Sequence, residues 1–214
     1  MQEWLNRTEL LVGEKGVRRL GEARVAVLGL GGVGGAAAEA LCRAGVGNLL
    51  LADHDTVDET NLNRQIFATR SVLGRKKCAA AAARLRDINP SATIDARDLF
   101  YSAATRQALF DFAPDYIVDA IDTVTSKLDL VLAAQAQGVP LICSMGTGNR
   151  FDPTAFRIGD IAETAGCGCA LARVFRRELR RRGVTRQTVL YSTEPPMKGV
   201  VSPDSPAGRH SPGS

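Results

Sequence analysis

Arg24-Val25-Ala26-Val27-Leu28-Gly29-Leu30-Gly31-Gly32-Val33-Gly34 is the stretch that decides the fold. Its first half is a short apolar run that stops at glycine, the pattern of a strand buried in a parallel sheet. Gly34 to Arg43 is alanine-rich and reads as the following helix, ended by Gly45 and Gly47. Gly29, Gly31, Gly32 and Gly34 therefore sit between a strand and a helix N-terminus. Free N–H groups and the helix dipole there suit a phosphate. The same glycines would serve an ordinary capping turn; the strand–turn–helix setting favours a nucleotide.

Outward from this turn the pattern alternates. Asn48-Leu49-Leu50-Leu51-Ala52-Asp53 reads as the second strand, and residues 54–74 as a polar, irregular connection of the length that is usually functional. Strong helix formers run from Lys76 to Ile88 and stop at Asn89-Pro90. A weaker strand follows at 92–96, then a helix capped by Ser102 and ending before Pro114. Strands at 116–120 and 141–144 flank a helix at 124–137. A loop and short strand cover 145–161, a helix Cys169 to Arg182, and a strand Thr188 to Tyr191. Pro and Gly dominate from Ser192 on, which predicts little regular structure. The expected fold class is α/β, a doubly wound and largely parallel sheet. The expected division is a helical arm at 1–23, a nucleotide domain at 24–145, a substrate-side segment with a basic helix at 146–191, and a tail at 192–214.

The chain has 214 residues, 45% of them hydrophobic, and a net charge of +4 that fits an anionic partner without demanding one. No apolar run approaches a membrane span, and the N-terminus lacks a signal-peptide pattern. Five cysteines, an odd number, in a chain without a secretory signal suggest a reducing, cytoplasmic location.

Asp53 ends a strand where an acidic residue would take ribose hydroxyls. Asn61-Leu62-Asn63-Arg64-Gln65 adds a cation and amides within reach of a phosphate chain, and Lys77 opens the next helix. Asp122 lies past another strand on the same C-terminal edge. A carboxylate beside phosphates makes sense mainly if it holds Mg²⁺. Singly, Lys77 reads as a solvated helix residue and Asp122 as a helix cap. Together they favour a site that stabilises charge on a departing pyrophosphate, hence chemistry on ATP rather than hydride transfer.

Arg7, the glycine turn, Asp53, Asn61-x-Asn63-Arg64-Gln65, Lys77 and Asp119-Ala120-Ile121-Asp122 follow one another in an order that resembles the ubiquitin-activating-like adenylating enzymes, over essentially the whole chain. Gly148-Asn149-Arg150-Phe151-Asp152-Pro153-Thr154 and Ala172-Arg173-Val174-Phe175-Arg176-Arg177-Glu178-Leu179 look like the tRNA threonylcarbamoyladenosine dehydratase branch. The resemblance implies a Rossmann-like sheet and ATP and Mg²⁺ as cofactors. Asp53 would hold the ribose, Asn61, Arg64 and Lys77 the phosphates, and Asp122 the metal. It implies that Arg7 reaches a neighbouring subunit's ATP site, hence a homodimer. Without the resemblance Arg7 reads as a surface residue. Chains of this kind usually continue past the equivalent of Ser211-Pro212-Gly213-Ser214, so a shortened form is expected. A sulfur-relay protein is a further partner to consider.

No Cys-x-x-Cys occurs, and Cys167-Gly168-Cys169 is the only close pair. A structural zinc is therefore not expected, which argues against a carrier-protein substrate and for an acyl group presented by RNA. Cys42, Cys78 and Cys143 read as packed small hydrophobes. Cys167 or Cys169 could be a thiol activated near a helix N-terminus. Arg173, Arg176, Arg177 and Arg180 fall on one helical stripe, with only Glu178 to offset them. Such a stripe is a solvated face or a phosphate-contact surface for tRNA. The reading these features support is ATP-dependent cyclisation of threonylcarbamoyladenosine through an acyl adenylate. Alternatives are adenylation of a sulfur-carrier protein, a nicotinamide dehydrogenase and a nucleotide-gated RNA-binding module.

Overall fold

The computed structural model describes residues 3–197. The tail expected to lack regular structure falls mostly outside them. The chain opens with a one-turn 3₁₀ segment and helix α1 (Asn6–Glu22), which Gly13 interrupts at φ +73°. Then follow β1 (Arg24–Leu28), α2 (Gly32–Arg43), β2 (Asn48–Asp53), α3 (Lys77–Ile88), β3 (Thr93–Asp98), α4 (Arg106–Phe110), β4 (Tyr116–Asp119), α5 (Val124–Gln137), β5 (Leu141–Ser144), β6 (Phe156–Asp160), α6 (Ala170–Arg181) and β7 (Thr188–Ser192).

The strands form one sheet in the order β3-β2-β1-β4-β5-β7-β6. Every neighbouring pair is parallel except β6–β7 at the edge. This is the doubly wound, largely parallel sheet expected from the alternation of strands and helices. Each continuous apolar strand feeds two cores, because successive side chains point to opposite faces. Ala26, Leu28, Leu50 and Ala52 pack with the α5 and α6 side, against Leu128, Leu130 and Phe175. Val25, Val27, Leu49 and Leu51 pack with the α2 and α3 side, against Ala38, Cys42, Ala81 and Leu85.

The chain runs from β1 outward to β3, then returns to place β4 on the other side of β1. The C-terminal ends of β1 and β4 therefore part, and a crevice opens there. Residues 146–191 continue the same sheet, because β7 pairs with β5.

Two local expectations change. The helix expected from Ser102 is only Arg106–Phe110. Ser102 does not cap it; Thr105 Oγ1 accepts from Ser102 N and donates to Phe100 O, both at 2.9 Å, closing a turn in its place. The connection 54–74 is less irregular than its composition suggests, with 3₁₀ turns at Glu59–Asn61 and Arg70–Val72. Beyond β7, residues 193–197 have no regular structure but are tied down. Thr193 N donates to Ala155 O at 3.0 Å and Met197 N to Asn149 O at 2.8 Å.

Candidate active site

A cleft of about 1280 Å³ lies along the C-terminal edge of β1, β2, β4 and β5. Its floor is the glycine turn. Gly29 has φ +84°, and a Cβ there would sit 2.6 Å from Ala120 O; a Cβ on Gly34 would sit 1.8 Å from Gly29 O. Only glycine lets α2 start this close to β1 and β4. Gly31 has nothing over its Cβ direction and faces the cleft. Gly32 opens α2 and, like Gly34, is not part of the cleft wall.

Asp53, at the end of β2, is buried. Its Oδ2 accepts from Leu30 N at 2.6 Å and its Oδ1 from Asp55 N at 2.8 Å. The carboxylate thus pins the glycine turn and still has lone pairs for ribose hydroxyls. Asp58 and Asn61 form a capping box, with Asp58 N donating to Asn61 Oδ1 at 3.1 Å. That orients the buried Asn61 amide on the cleft wall. Arg64 donates to Thr60 O at 2.8 Å and Asn63 Oδ1 at 2.9 Å, which braces the guanidinium at the rim. Gln65 is buried beside it. Lys77 is not a solvated helix residue: it is 7% exposed, and its Nζ lies 2.8 Å from Asp55 Oδ2. Asp122, on the loop after β4, is exposed in the cleft. It does not cap α5, whose N-cap is Thr123.

Thus Gly29, Gly31, Asp53, Asn61, Asn63, Arg64, Gln65, Lys77 and Asp122 converge on one cleft. Arg7 does not; it is exposed on α1. The arginines of α6 also stay outside, although Cys169, Ala170 and Leu171 at its start line the wall. On that helix Arg173 and Arg180 are exposed and carry no ion pair among the described residues. Arg176 donates to Thr164 Oγ1 at 2.7 Å, and Glu178 pairs with Arg177, Arg181 and Arg182. The stripe is therefore more compensated than the sequence suggests. Its opposite face buries Ala172, Phe175 and Leu179, while Leu171 and Val174 are only partly covered.

The family model described as ThiF family matches residues 5–201. The chain belongs to the ThiF family. It is 43% identical over 198 residues to the tRNA threonylcarbamoyladenosine dehydratase of Bacillus subtilis, an alignment covering 92% of this chain and 77% of that one. The Escherichia coli protein of the same name is 38% identical over 157 residues, 73% of this chain and 59% of the relative. The crystal structure of the E. coli tRNA N6-threonylcarbamoyladenosine dehydratase in complex with ATP superposes with a TM-score of 0.85 at 34% identity, covering 90% of this chain and 82% of that one.

Three features of this ThiF-family cleft escape the sequence reading. Asp55 is the buried lysine's partner. Tyr101 lines the wall; burial, then its bond to Asp129 at 3.0 Å, push its phenol well above the ordinary value, so it stays a donor. Arg150, after β5, also lines the cleft. The rule that ligands bind outside the carboxyl ends of strands would find it, since β5 ends on the same edge. All five cysteines are free and buried. Cys169 caps α6, its sulfur accepting from Ala172 N at 3.4 Å. Burial, then the neighbouring Asp119 carboxylate, push the Cys143 thiol far up.

Proposed function

We propose that this ThiF-family chain is an ATP-dependent dehydratase that cyclises threonylcarbamoyladenosine in tRNA through an acyl adenylate. The observation that carries the reading is the convergence of the glycine turn, Asp53, Asn61, Arg64, Lys77 and Asp122 in one cleft. Its volume of about 1280 Å³ exceeds the few hundred to a thousand that one small ligand needs, leaving room for a second reactant beside a nucleotide.

In this reading the α2 N-terminus and Gly31 cradle the phosphates, and Asp53 accepts from the ribose. The substrate carboxylate attacks the α-phosphorus, and pyrophosphate leaves. Arg64 and Lys77 stabilise the negative charge that gathers on it. An internal nitrogen of the carbamoyl group then attacks the activated carbonyl, the ring closes and AMP departs. The net change in the nucleoside is the loss of one water. Asp122 fits as the holder of Mg²⁺, because it is an exposed carboxylate in the cleft and hard oxygen ligands suit that ion. Bound there, the ion would offset phosphate charge. No enzyme nucleophile is called for, which agrees with five buried thiols.

Arg173 and Arg180 on α6 are the phosphate-contact surface for tRNA in this reading. Arg7 on α1, with Leu10 and Leu11 exposed at 89% and 85%, supports a homodimer in which that arm meets the second subunit. Incubation with ATP, Mg²⁺ and threonylcarbamoyl-modified tRNA should yield a nucleoside lighter by one water, detected by mass spectrometry, with AMP and pyrophosphate in equal amounts. AMP transfer to a small carrier protein ending in Gly-Gly, with no change in the tRNA, would point to sulfur-carrier adenylation and overturn the reading.

A further inference from the structure

Arg150 is a cation in the cleft to which the nucleotide chemistry gives no task. Its Nε and Nη1 atoms are buried without a hydrogen-bond partner, as is Asn149 Oδ1 beside it. Both residues line the cleft. A guanidinium cannot discharge by losing its proton, so buried orphan N–H groups remain a cost until an acceptor arrives. Elsewhere in the cleft the cations are occupied: Lys77 pairs with Asp55, Arg64 is braced by Thr60 and Asn63, and Arg70 meets Glu59 at 3.5 Å.

The loop that carries Arg150 is held in place. Glu194 accepts from Phe151 N and Asp152 N, each at 3.0 Å, and Met197 N donates to Asn149 O. Asn149 sits at φ +62°, a left-handed conformation that a non-glycine residue keeps only when its surroundings impose it. The loop that carries the orphan groups is thus braced.

We propose that Arg150 binds the carboxylate of the acyl substrate and sets it beside the α-phosphate. This inference rests on the dehydratase reading. Position separates it from the phosphate cations. Arg64 and Lys77 follow β2, on one side of β1, whereas Arg150 follows β5, on the other side with β4 between. A nucleotide on the glycine turn and Asp53 leaves the β4–β5 side for the second reactant. The planar guanidinium matches a carboxylate's two oxygens. The Asn149 carbonyl next to it is the complement of a carbamoyl N–H.

The test compares modified tRNA carrying the free carboxylate with the same tRNA as its methyl ester, both bound in the presence of an α,β-methylene ATP analogue. Wild-type protein should prefer the free acid by at least about 10-fold, the scale of a charged hydrogen bond. Arg150→Met should bring that ratio close to one, and Arg150→Lys should restore part of it. ATP affinity should stay at the wild-type value in both, and the melting temperature should not fall. An Arg150→Met protein that keeps the wild-type ratio overturns the proposal. So does one that loses ATP affinity instead, because Arg150 would then be a phosphate ligand. Wild-type protein that, given ATP and Mg²⁺ in place of the analogue, fails to convert the free-acid tRNA overturns the dehydratase reading itself, an outcome distinct from either.

Discussion

Arg64 and Lys127 show how differently two cations can serve one cleft. Arg64 is braced at the rim, where in the proposed reaction a leaving pyrophosphate would gather charge. Arg64→Ala should therefore lower turnover on the order of 100-fold while leaving the fold intact, as read by pyrophosphate release and circular dichroism. Near-normal ATP–pyrophosphate exchange would remove Arg64 from the site. Lys127 is fully buried on α5, 2.7 Å from the equally buried Asp119. The other Asp119 oxygen accepts from Ile121 N at 3.0 Å, so the pair holds the turn that presents Asp122. Lys127→Met would leave an unpaired buried carboxylate and should cost about 3–5 kcal/mol in urea unfolding. Asp119→Asn combined with Lys127→Met should recover much of that loss, because no charge is then stranded. A single variant as stable as wild type would show that the pair does not carry this load.

At the scale of elements, α2 and α3 are joined by Glu39, which reaches Arg84 and Arg43. The Arg84 hydrogen bond, and more weakly Arg43, hold its carboxyl below the ordinary 4.5 against the opposing effect of burial. A depressed folded-state value means that the contribution is whole above pH 4.5 and fades as pH falls through the folded value. Glu39→Gln should cost about 1 kcal/mol at neutral pH, the charged bonds being discounted because both guanidiniums are about half-exposed. The gap to wild type in urea midpoints should close in acid; a constant gap would exclude the linkage. On α6 the exposed Arg173 and Arg180 are the cations the proposed function assigns to tRNA phosphate. Changing both to Glu should weaken tRNA binding and flatten its salt dependence by about two counterions, with ATP binding unchanged. An unaltered salt slope would leave α6 as a solvated face. The strands and the glycine turn are legible in the sequence because buried parallel strands read as apolar runs and the turn has a spacing of its own. The burial of Lys77 and Lys127 is not, since a lysine on a helix reads as solvated until its carboxylate partner is brought across the fold. Arg150 stands in the 148–154 segment that carries the resemblance, but that pattern gives it no role, and the placement of β5 on the cleft edge is what brings it to the site. The turn at Ser102–Thr105 is misread because a serine before a helical pattern suggests a cap.

For the whole molecule the proposal to be tested is that α1, which does not line its own subunit's cleft, reaches a second one. The helix buries none of its residues, and Gly13 breaks it midway. Leu10 and Leu11 are almost fully exposed, adjacent apolar residues on an arm that carries Arg7. A helix that buries so little would gain stability from a partner surface, as the proposed homodimer supplies. A two-fold dimer would cover both arms in one self-complementary contact and carry Arg7 to the opposite cleft. The expected outcome is complementation between two inactive proteins. Arg7→Ala lacks the donated arginine and Arg64→Ala lacks the resident one. Unfolded together and refolded as a mixture, they form heterodimers in which one cleft of the two has both arginines. With random pairing half the dimers are mixed, so activity should return to about one quarter of wild type at the same total concentration. Mixtures as inactive as either variant alone would mean that Arg7 serves its own subunit, and an active Arg7→Ala would mean that it serves none. Leu10→Asp with Leu11→Asp should abolish the recovery and shift the sedimentation coefficient to that of a monomer, because charge on the arm removes the contact that carries Arg7 across.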